Sequence, residues 1–339
     1  MAALPLRIFD LPRRGKILSP ADLPCLKDVM TINVTKGCAH QCAYCYARGY
    51  RDSPPDGEVY VYSNLAERLE EELDNPRRRK ALPQWVSLST SCDPFQPIDE
   101  VLKVTWKTIK ALLERGIKVS FLTKGYIPGE FISLFQTYPG CVFARIGLLS
   151  LSKDFHRQFE PGAAPPGERL KNISKLKDAG IPVEIRHDPV IPGITDPSAD
   201  LDDLFSWLKE NGIETINVAF IHVRPGIERV IKKDLPFPLA WKVLHLYRGQ
   251  PFQRVAASCV TRLLPRHLRI LTYSRIRGIA GRYGIKTLLC ACKNPDLKAD
   301  MCHIIGDSQF QTRREDAQLR LFSPHLPSQW GEGLGEGAL

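Results

Sequence analysis

The amino-acid sequence predicts an α/β protein in which six parallel strands form a partial, TIM-like (β/α)6 barrel, followed by a basic C-terminal extension. Two observations indicate this fold class. Strand-like runs alternate with helix-like segments six times between residues 30 and 221, and roughly 200 residues suit six units better than the eight of a full barrel. An open, doubly wound sheet is the alternative. In both architectures ligands bind at the C-terminal ends of the parallel strands.

The first unit brings a group of cysteines to such a strand end. Met30 to Thr35 (MTINVT) is a short alternating run that predicts a strand. Downstream, Ser63 or Asn64 can cap a helix. Its apolar side chains repeat every four residues, at Leu65, Leu69 and Leu73.

The later units repeat this pattern, with glycines that end the helices at Gly116, Gly180 and Gly212. We expect the remaining strands at Trp85–Ser91, Lys118–Thr123, Cys141–Ser150, Pro182–His187 and Glu214–Ile221. We expect helices at Asp99–Arg115, Gly129–Gln136, Gly167–Ala179 and Ser198–Glu210.

The cysteine loop follows the first strand directly. Thr35 to Tyr46 reads TKGCAHQCAYCY, with thiols at Cys38, Cys42 and Cys45 in a C-x3-C-x2-C spacing. Soft thiolate ligands suit iron-sulfur clusters, and three ligands to a four-iron cube leave one iron open to a substrate or cofactor. A zinc site with His40 as the fourth ligand is the alternative, although structural zinc usually uses two separated ligand pairs.

The run GCAHQCAYCYAR resembles the motif of the radical S-adenosylmethionine (SAM) enzymes. Other segments are similar to the branch of that superfamily that includes spore photoproduct lyase. These segments are NVTKG, TSCDPFQPID at Thr90–Asp99, EPGAAPPGERL at Glu160–Leu170 and RHDPVIPGITD at Arg186–Asp196. The resemblance covers about residues 28 to 225. It implies a 4Fe-4S cluster on the three cysteines and SAM chelated to the fourth iron.

The resemblance also implies roles for five further residues. Tyr44 is similar to the family aromatic that lies near the cluster and the adenine. Ser89, Ser91 and Asp93 fall at a strand end where the family commonly binds the amino group or ribose of SAM. Arg186 is a candidate partner for the SAM carboxylate, and the alternative for Arg186 is a barrel-rim ion pair with Asp188 or a neighbour.

The C-terminal region differs in charge and carries a second group of cysteines. Of the formal net charge of +10, the segment Arg229–Lys286 contributes +12, from thirteen Lys or Arg and the single acid Asp234, so the remainder sums to about −2. Such a segment attracts a polyanion such as DNA or RNA, unless it is only a solvated face.

The same region carries a second group of cysteines. Cys290, Cys292 and Cys302, with His303 nearby, are consistent with a second iron-sulfur or other metal site, a redox-active or hydrogen-donating thiol, or buried structural cysteines.

We therefore divide the chain into a lead-in at 1–29, a radical SAM partial barrel at 30–225, a basic cysteine-containing region at 226–306 and a disordered tail at 307–339. Apolar runs of membrane-spanning length are absent from the sequence. Clustered cysteines favour metal binding in a reducing compartment. We expect a cytoplasmic protein without a membrane partner.

The sequence predicts an enzyme that cleaves SAM reductively at the cluster, giving a 5'-deoxyadenosyl radical that abstracts hydrogen from a substrate, with electrons from an external donor of the flavodoxin or ferredoxin type. A nucleic-acid substrate, in a lesion-repair-like lyase reaction or a modification, is the leading hypothesis. One alternative is a radical SAM enzyme that acts on a peptide or a small metabolite. The other is a non-enzymatic, metal-stabilised nucleic-acid-binding protein.

Overall fold

The computed structural model describes residues 5–20, 26, 29–77, 81–256 and 259–299. The strands are β1 Arg7–Asp10, β2 Ser19–Pro20, β3 Met30–Ile32, β4 Thr35–Lys36, β5 Glu58–Val61, β6 Trp85–Leu88, β7 Lys118–Thr123, β8 Val142–Gly147, β9 Val183–Val190, β10 Thr215–Phe220, β11 Gln253–Ala256, β12 Cys259–Thr261 and β13 Lys286–Leu289. The helices are α1 Leu65–Asp74, α2 Asp99–Leu113, α3 Gly129–Thr137, α4 Lys153–Phe159, α5 Pro166–Asp178, α6 Ser198–Glu210, α7 Ile227–Asp234, α8 Phe237–His245 and α9 Arg266–Arg282.

The main sheet has eight strands in the order β13-β10-β9-β8-β7-β6-β3-β2. Seven of them pair in parallel, and only the two-residue β2 is antiparallel, at the β3 edge. Helices α2, α3, α5 and α6 follow successive strands, as parallel connections require. The predicted partial, TIM-like barrel is therefore confirmed, and the sheet is not closed.

Burial patterns explain why these segments form a parallel sheet covered by helices. Strand β8 is buried at all six positions, and β6 at all four, which is typical of strands that are covered on both faces. Helix α2 is amphipathic, because it buries one stripe of side chains at Val101, Val104, Thr105, Thr108, Ile109 and Leu112. A large apolar core results.

The predicted strand Met30–Thr35 is split into two strands in different sheets. Strand β3 ends at Ile32, and β4 pairs antiparallel with β5 in a small sheet of order β1-β5-β4. Between them, the Asn33 side chain accepts a hydrogen bond from the Ser91 backbone N–H, at 2.9 Å. This break turns the chain out of the main sheet and starts the cysteine loop.

The basic region contributes a seventh parallel strand beyond the expected six. Strand β13 pairs with β10, with Thr215 opposite Lys286 and Val218 opposite Leu289. It lies in the segment 226–306 that the sequence assigns to the C-terminal extension. Strand β13 has only four residues, and it directly follows helix α9 and the turn at Gly284, whose φ is 69°. A run this short does not predict a further strand and helix unit.

All of the described residues belong to one compact unit, within residues 1–305. The predicted tail at 307–339, and with it Cys302 and His303, lies outside the described residues. The boundaries drawn at residues 29 and 225 stay predictions. In the part of the chain that the structure describes, every helix falls short of the length or apolar character that a membrane crossing requires.

Candidate active site

A cavity of about 280 Å³ opens at the C-terminal ends of the parallel strands, where the sequence places the ligands. All three cysteines of the loop line it, as do all five further candidate residues. Those five are Tyr44, Ser89, Ser91, Asp93 and Arg186. Cys290 and Cys292, in the turn after β13, also line the cavity.

Backbone geometry bends the cysteine loop into a tight shape. The Cys45 N–H donates to the Cys42 carbonyl at 3.1 Å, and the Gln41 side-chain amide donates to the Cys38 carbonyl at 2.7 Å. Gln41 has a φ of 47°, in the left-handed region that non-glycine residues seldom adopt. From the barrel side, the Gln96 Oε1 atom accepts the Ala39 N–H at 2.7 Å. The loop is thereby fixed to the strand end after β6.

The segment between α4 and α5 holds the loop from the opposite side. The Ala43 N–H donates to the Phe159 carbonyl at 2.9 Å, and the Gly162 N–H donates to the His40 carbonyl at 3.1 Å. Gly162 permits this approach, since a Cβ atom on it would lie 2.0 Å from the Ala39 carbonyl oxygen. Gly162, the first glycine of the EPGAAPPGERL segment, is thus required by close packing of two backbones.

A buried ion pair fixes Tyr44 within the cysteine loop. The Tyr44 hydroxyl donates to Glu160 Oε1, and Glu160 Oε2 lies 2.5 Å from Arg169 Nη2. Both charged side chains are at most 2% exposed. Burial acts to raise the pKa of Glu160, but the positive charges of Arg169 and Lys124 outweigh it and hold that pKa below its usual range. Lys124 lies over the Tyr44 ring, 5.6 Å from its centroid.

The chemistry of the three thiols fits an iron-sulfur cube. Burial, with the nearby charge of Glu160, raises the pKa of Cys42 to about 12, and burial also raises that of Cys38. A thiolate in this place therefore requires a bound cation, which an iron core supplies. The His40 Nε2 atom lines the same cavity, and it is buried without a hydrogen-bond partner among the described residues.

The donor geometry bears on the zinc alternative as well. Within the described ranges, no group of three or more His, Cys, Asp or Glu side chains is placed to hold a single metal ion. The His40 Nδ1 atom lies 3.4 Å from Asp93 Oδ2. A 4Fe-4S cube does not require its three thiolates to converge on a single ion, because each thiolate binds a different iron.

The three candidates after β6 lie together but differ in their contacts. Asp93 is fully engaged, because its carboxylate accepts hydrogen bonds from the Thr123 hydroxyl at 2.7 Å, the Lys124 N–H at 2.8 Å and the Phe95 N–H at 2.9 Å. Ser89 has a φ of 58° and is buried. The contacts favour a bracing role for Asp93, while Ser89 and Ser91 stay candidates for SAM contact.

Arg186 forms the rim ion pair that is the alternative to a SAM contact. Its Nη2 donates to Asp188 Oδ2 at 2.9 Å. Asp188 in turn accepts from Lys293 Nζ at 2.6 and 2.8 Å. Burial acts to raise the pKa of Asp188, but the charges of Lys293 and Arg186 lower it strongly. Arg186 lies within β9 rather than at the end of a strand.

The same ion pairs attach the second group of cysteines to the cavity. Lys293 belongs to the short turn Ala291–Lys293, and its carbonyl contacts the His222 Nε2 atom at 3.2 Å. Cys290 is buried and Cys292 half-buried. These two thiols share one cavity with the first group, while Cys302 and His303 lie outside the described residues. A second cluster there stays a hypothesis.

Sequence reasoning missed several charged residues of the site. Lys124, Arg145 and Lys293 all line the cavity. Glu160 and Arg169 fall inside the EPGAAPPGERL segment, so their position in that segment was the available signal. The pairing of Asp188 with Lys293 joins residues 105 positions apart, and no local pattern indicates it.

Comparison with known proteins identifies the family. The radical SAM superfamily model matches residues 32–208, which is more than half of the chain. The chain belongs to the radical SAM superfamily. The predicted family and the predicted class, a radical SAM enzyme, are confirmed, and the family implies SAM and a 4Fe-4S cluster.

Curated relatives are mostly without an assigned function. An uncharacterized protein of Mycobacterium tuberculosis is 32% identical over 205 residues, which cover 57% of this chain and 59% of that protein. A protein of Pseudomonas phage M6 named radical SAM Nalpha-GlyT isomerase is 29% identical over 203 residues, 58% of this chain and 40% of that protein. The chain thus matches only part of the length of these relatives.

Solved structures with the same fold include spore photoproduct lyase. A mutant form of that lyase has a TM-score of 0.64 at 18% identity, over 84% of this chain and 82% of that chain. Another mutant form, with bound AdoMet and dinucleoside spore photoproduct, has a TM-score of 0.63 at 17% identity, over 83% and 81%. At this identity the likeness shows a common fold.

Proposed function

We propose that the chain binds a 4Fe-4S cluster through Cys38, Cys42 and Cys45, cleaves SAM reductively, and abstracts hydrogen from a nucleic-acid substrate. One observation carries the proposal. The three thiols open on the same cavity, at the C-terminal ends of the strands, as a set of positively charged side chains. A site of this kind holds an electron-transfer centre, an organic cofactor and an anionic substrate within reach of one another.

When bound, the cluster would supply one electron to the SAM sulfonium, so that the bond between sulfur and the 5' carbon would break and leave methionine and a 5'-deoxyadenosyl radical. The chain's own residues would bind and orient SAM. Tyr44, which Glu160 holds in place, is a candidate for contact with the adenine. Ser89 and Ser91 are candidates for contact with the SAM amino group or ribose. Arg186 is buried and lines the cavity, and it stays a candidate for contact with the SAM carboxylate.

The substrate class is inferred from the mouth of the cavity. Tyr46 lines the cavity, and Tyr46 and Tyr50 are both more than one third exposed, with ring centroids 5.9 Å apart. The Arg224 guanidinium lies over the Tyr46 ring at 4.5 Å and donates to the Tyr50 hydroxyl at 3.1 Å. Aromatic rings and arginine planes are the groups on which unpaired bases stack.

Charge and relatives favour the same substrate class. The segment Arg229–Lys286 carries a charge of +12, which attracts a polyanion. A neighbour with the same fold is solved with a dinucleoside photoproduct. A peptide or a small metabolite would not require a basic region of this extent.

The proposal is tested by anaerobic reconstitution with iron and sulfide, followed by incubation with SAM and dithionite. The wild type should hold about four irons per chain, the content of one cube, and release 5'-deoxyadenosine. Cys42→Ala should lose both properties. Cys141→Ala, which changes a half-buried cysteine outside the cavity lining, should retain both. Nucleoside formation that persists in Cys42→Ala would overturn the cluster assignment.

A further inference from the structure

Helix α8 carries an unusual exposed stripe in the basic region. Phe237 is 79% exposed and Trp241 is 56% exposed. These side chains and the exposed His245 stand at i, i+4 and i+8, so they share one face of the helix. We call the three side chains the α8 stripe. Aromatic rings exposed to this extent on an ordered helix commonly mark a binding surface.

The opposite face of α8 anchors the helix firmly. Ala240 and Val243 of α8, and Tyr247 just after it, are buried in the core. The Tyr247 hydroxyl donates to the carbonyl of Ile221, a residue that lines the cavity, at 2.5 Å. Lys242 Nζ donates to the Gly193 carbonyl at 2.7 Å. The α8 stripe therefore faces away from the core.

The stripe is also organised before any partner binds. The Trp241 and His245 rings are stacked, with centroids 4.4 Å apart and an angle of 22° between the planes. The indole is thereby supported on one side and kept in place on the helix surface. A ring held in this way loses little conformational entropy when a flat group stacks on it.

The charge around the stripe indicates the partner. Within Arg229–Lys286 thirteen cationic side chains accompany one acid, Asp234, and that acid is paired with Arg48. Six of the thirteen pair with acids outside the segment, namely Lys232, Lys233, Arg262, Arg269, Arg275 and Arg282. Arg229 on α7 and Arg248 just after α8 are exposed cations of the same segment. A positively charged surface that carries aromatic rings is typical of proteins that bind single-stranded nucleic acid, in which bases stack on the rings and the backbone meets the cations.

We propose that the α8 stripe binds unpaired nucleotides of a nucleic-acid strand. This inference rests on the proposed function for its substrate class. It adds which residues contact the substrate outside the cavity, and that the nucleotides they contact are unpaired. A duplex hides the faces of its bases, so the stripe favours single-stranded over double-stranded segments.

The test measures binding of a fluorescein-labelled single-stranded DNA of about 15 nucleotides to the full chain, by anisotropy, without SAM or reductant. The double variant Phe237→Ala/Trp241→Ala should bind about tenfold or more weakly than the wild type, because two stacking contacts are lost. Leu271→Ala is the matched control, since Leu271 is 65% exposed in the same basic region but cannot stack. Its affinity should equal that of the wild type.

Intrinsic fluorescence gives a second readout that does not depend on the fold surviving alanine substitutions. Trp241→Phe keeps a ring for stacking and removes the reporter. We expect the strand to quench the wild-type emission, and Trp241→Phe to lose that quenching while retaining most of its affinity. Binding of the matching duplex should be insensitive to the double variant.

Wild-type affinity for the single strand in the double variant would overturn the inference. If that variant also changes oligomeric state by sedimentation, the stripe is a contact between copies of the chain. Because SAM is absent from this assay, its result is independent of whether the cluster and the SAM cleavage are correctly assigned.

Discussion

Substitution of Gly162 by alanine should separate two backbones that hold the cysteine loop in place. The new Cβ atom would lie 2.0 Å from the Ala39 carbonyl oxygen and 3.0 Å from the His40 Cα. Contacts under 3.0 Å essentially never occur for a Cβ atom, so the loop must retreat by at least about 1 Å. Both neighbours are backbone atoms and cannot rotate away. Overpacking of this kind costs about 1–3 kcal/mol, and loss of the Gly162 N–H bond to His40 adds about 1 kcal/mol.

The assay compares the urea midpoint of the metal-free protein with its iron content after reconstitution. Gly162→Ala should lower the free energy of unfolding by about 3 kcal/mol and hold well under half of the wild-type iron, because the cysteines no longer lie in their fixed arrangement. Gly167→Ala is the matched control, since no atom lies within 4 Å of its new Cβ and it stands in the same segment. If Gly162→Ala matches Gly167→Ala in both midpoint and iron content, the packing argument is refuted.

Two further predictions concern buried ionisable groups. Arg169→Met leaves Glu160 buried without its cation, so the free energy of unfolding should fall by about 3–5 kcal/mol, and Arg169→Met/Glu160→Gln should recover part of it in urea denaturation. A loss under about 1 kcal/mol in the single variant would contradict the importance of the pair. Burial lowers the pKa of His187 to about 4. A depressed histidine pKa costs stability as pH falls from the unfolded-chain value near 6.5 to the folded value, here about 3 kcal/mol in all. His187→Gln should flatten the fall in urea midpoint between pH 7 and pH 4, and an unchanged slope would exclude His187 as its cause.

Local sequence patterns predicted most of the strands and helices of the barrel. Strand Lys118–Thr123 and helix Ser198–Glu210 have the predicted bounds, because their apolar periods and glycine stops are both clear in the sequence. Strand β13 could not be predicted in the same way. Its four residues follow a basic helix, and their place in the sheet depends on pairing with β10, about 70 positions earlier.

The candidate site shows the same division between local and distant information. The C-x3-C-x2-C spacing places three thiols on one loop, and those thiols do share a cavity. The network around them is assembled from distant positions. Tyr44 and Glu160 are 116 positions apart, and Asp188 and Lys293 are 105 apart. Side-chain partners at such separations are set by the tertiary fold, so a motif can indicate a cofactor without indicating what holds its ligands.

The central claim is hydrogen abstraction from a nucleic-acid substrate, and isotope transfer tests it most directly. The reconstituted protein is incubated with SAM, a one-electron reductant and single-stranded DNA deuterated in its bases and sugars, and the 5'-deoxyadenosine is analysed by mass spectrometry. The account predicts deuterium in that product, at a level that falls when unlabelled DNA is added. 5'-Deoxyadenosine that forms at the same rate with and without DNA, and carries no deuterium, would contradict it.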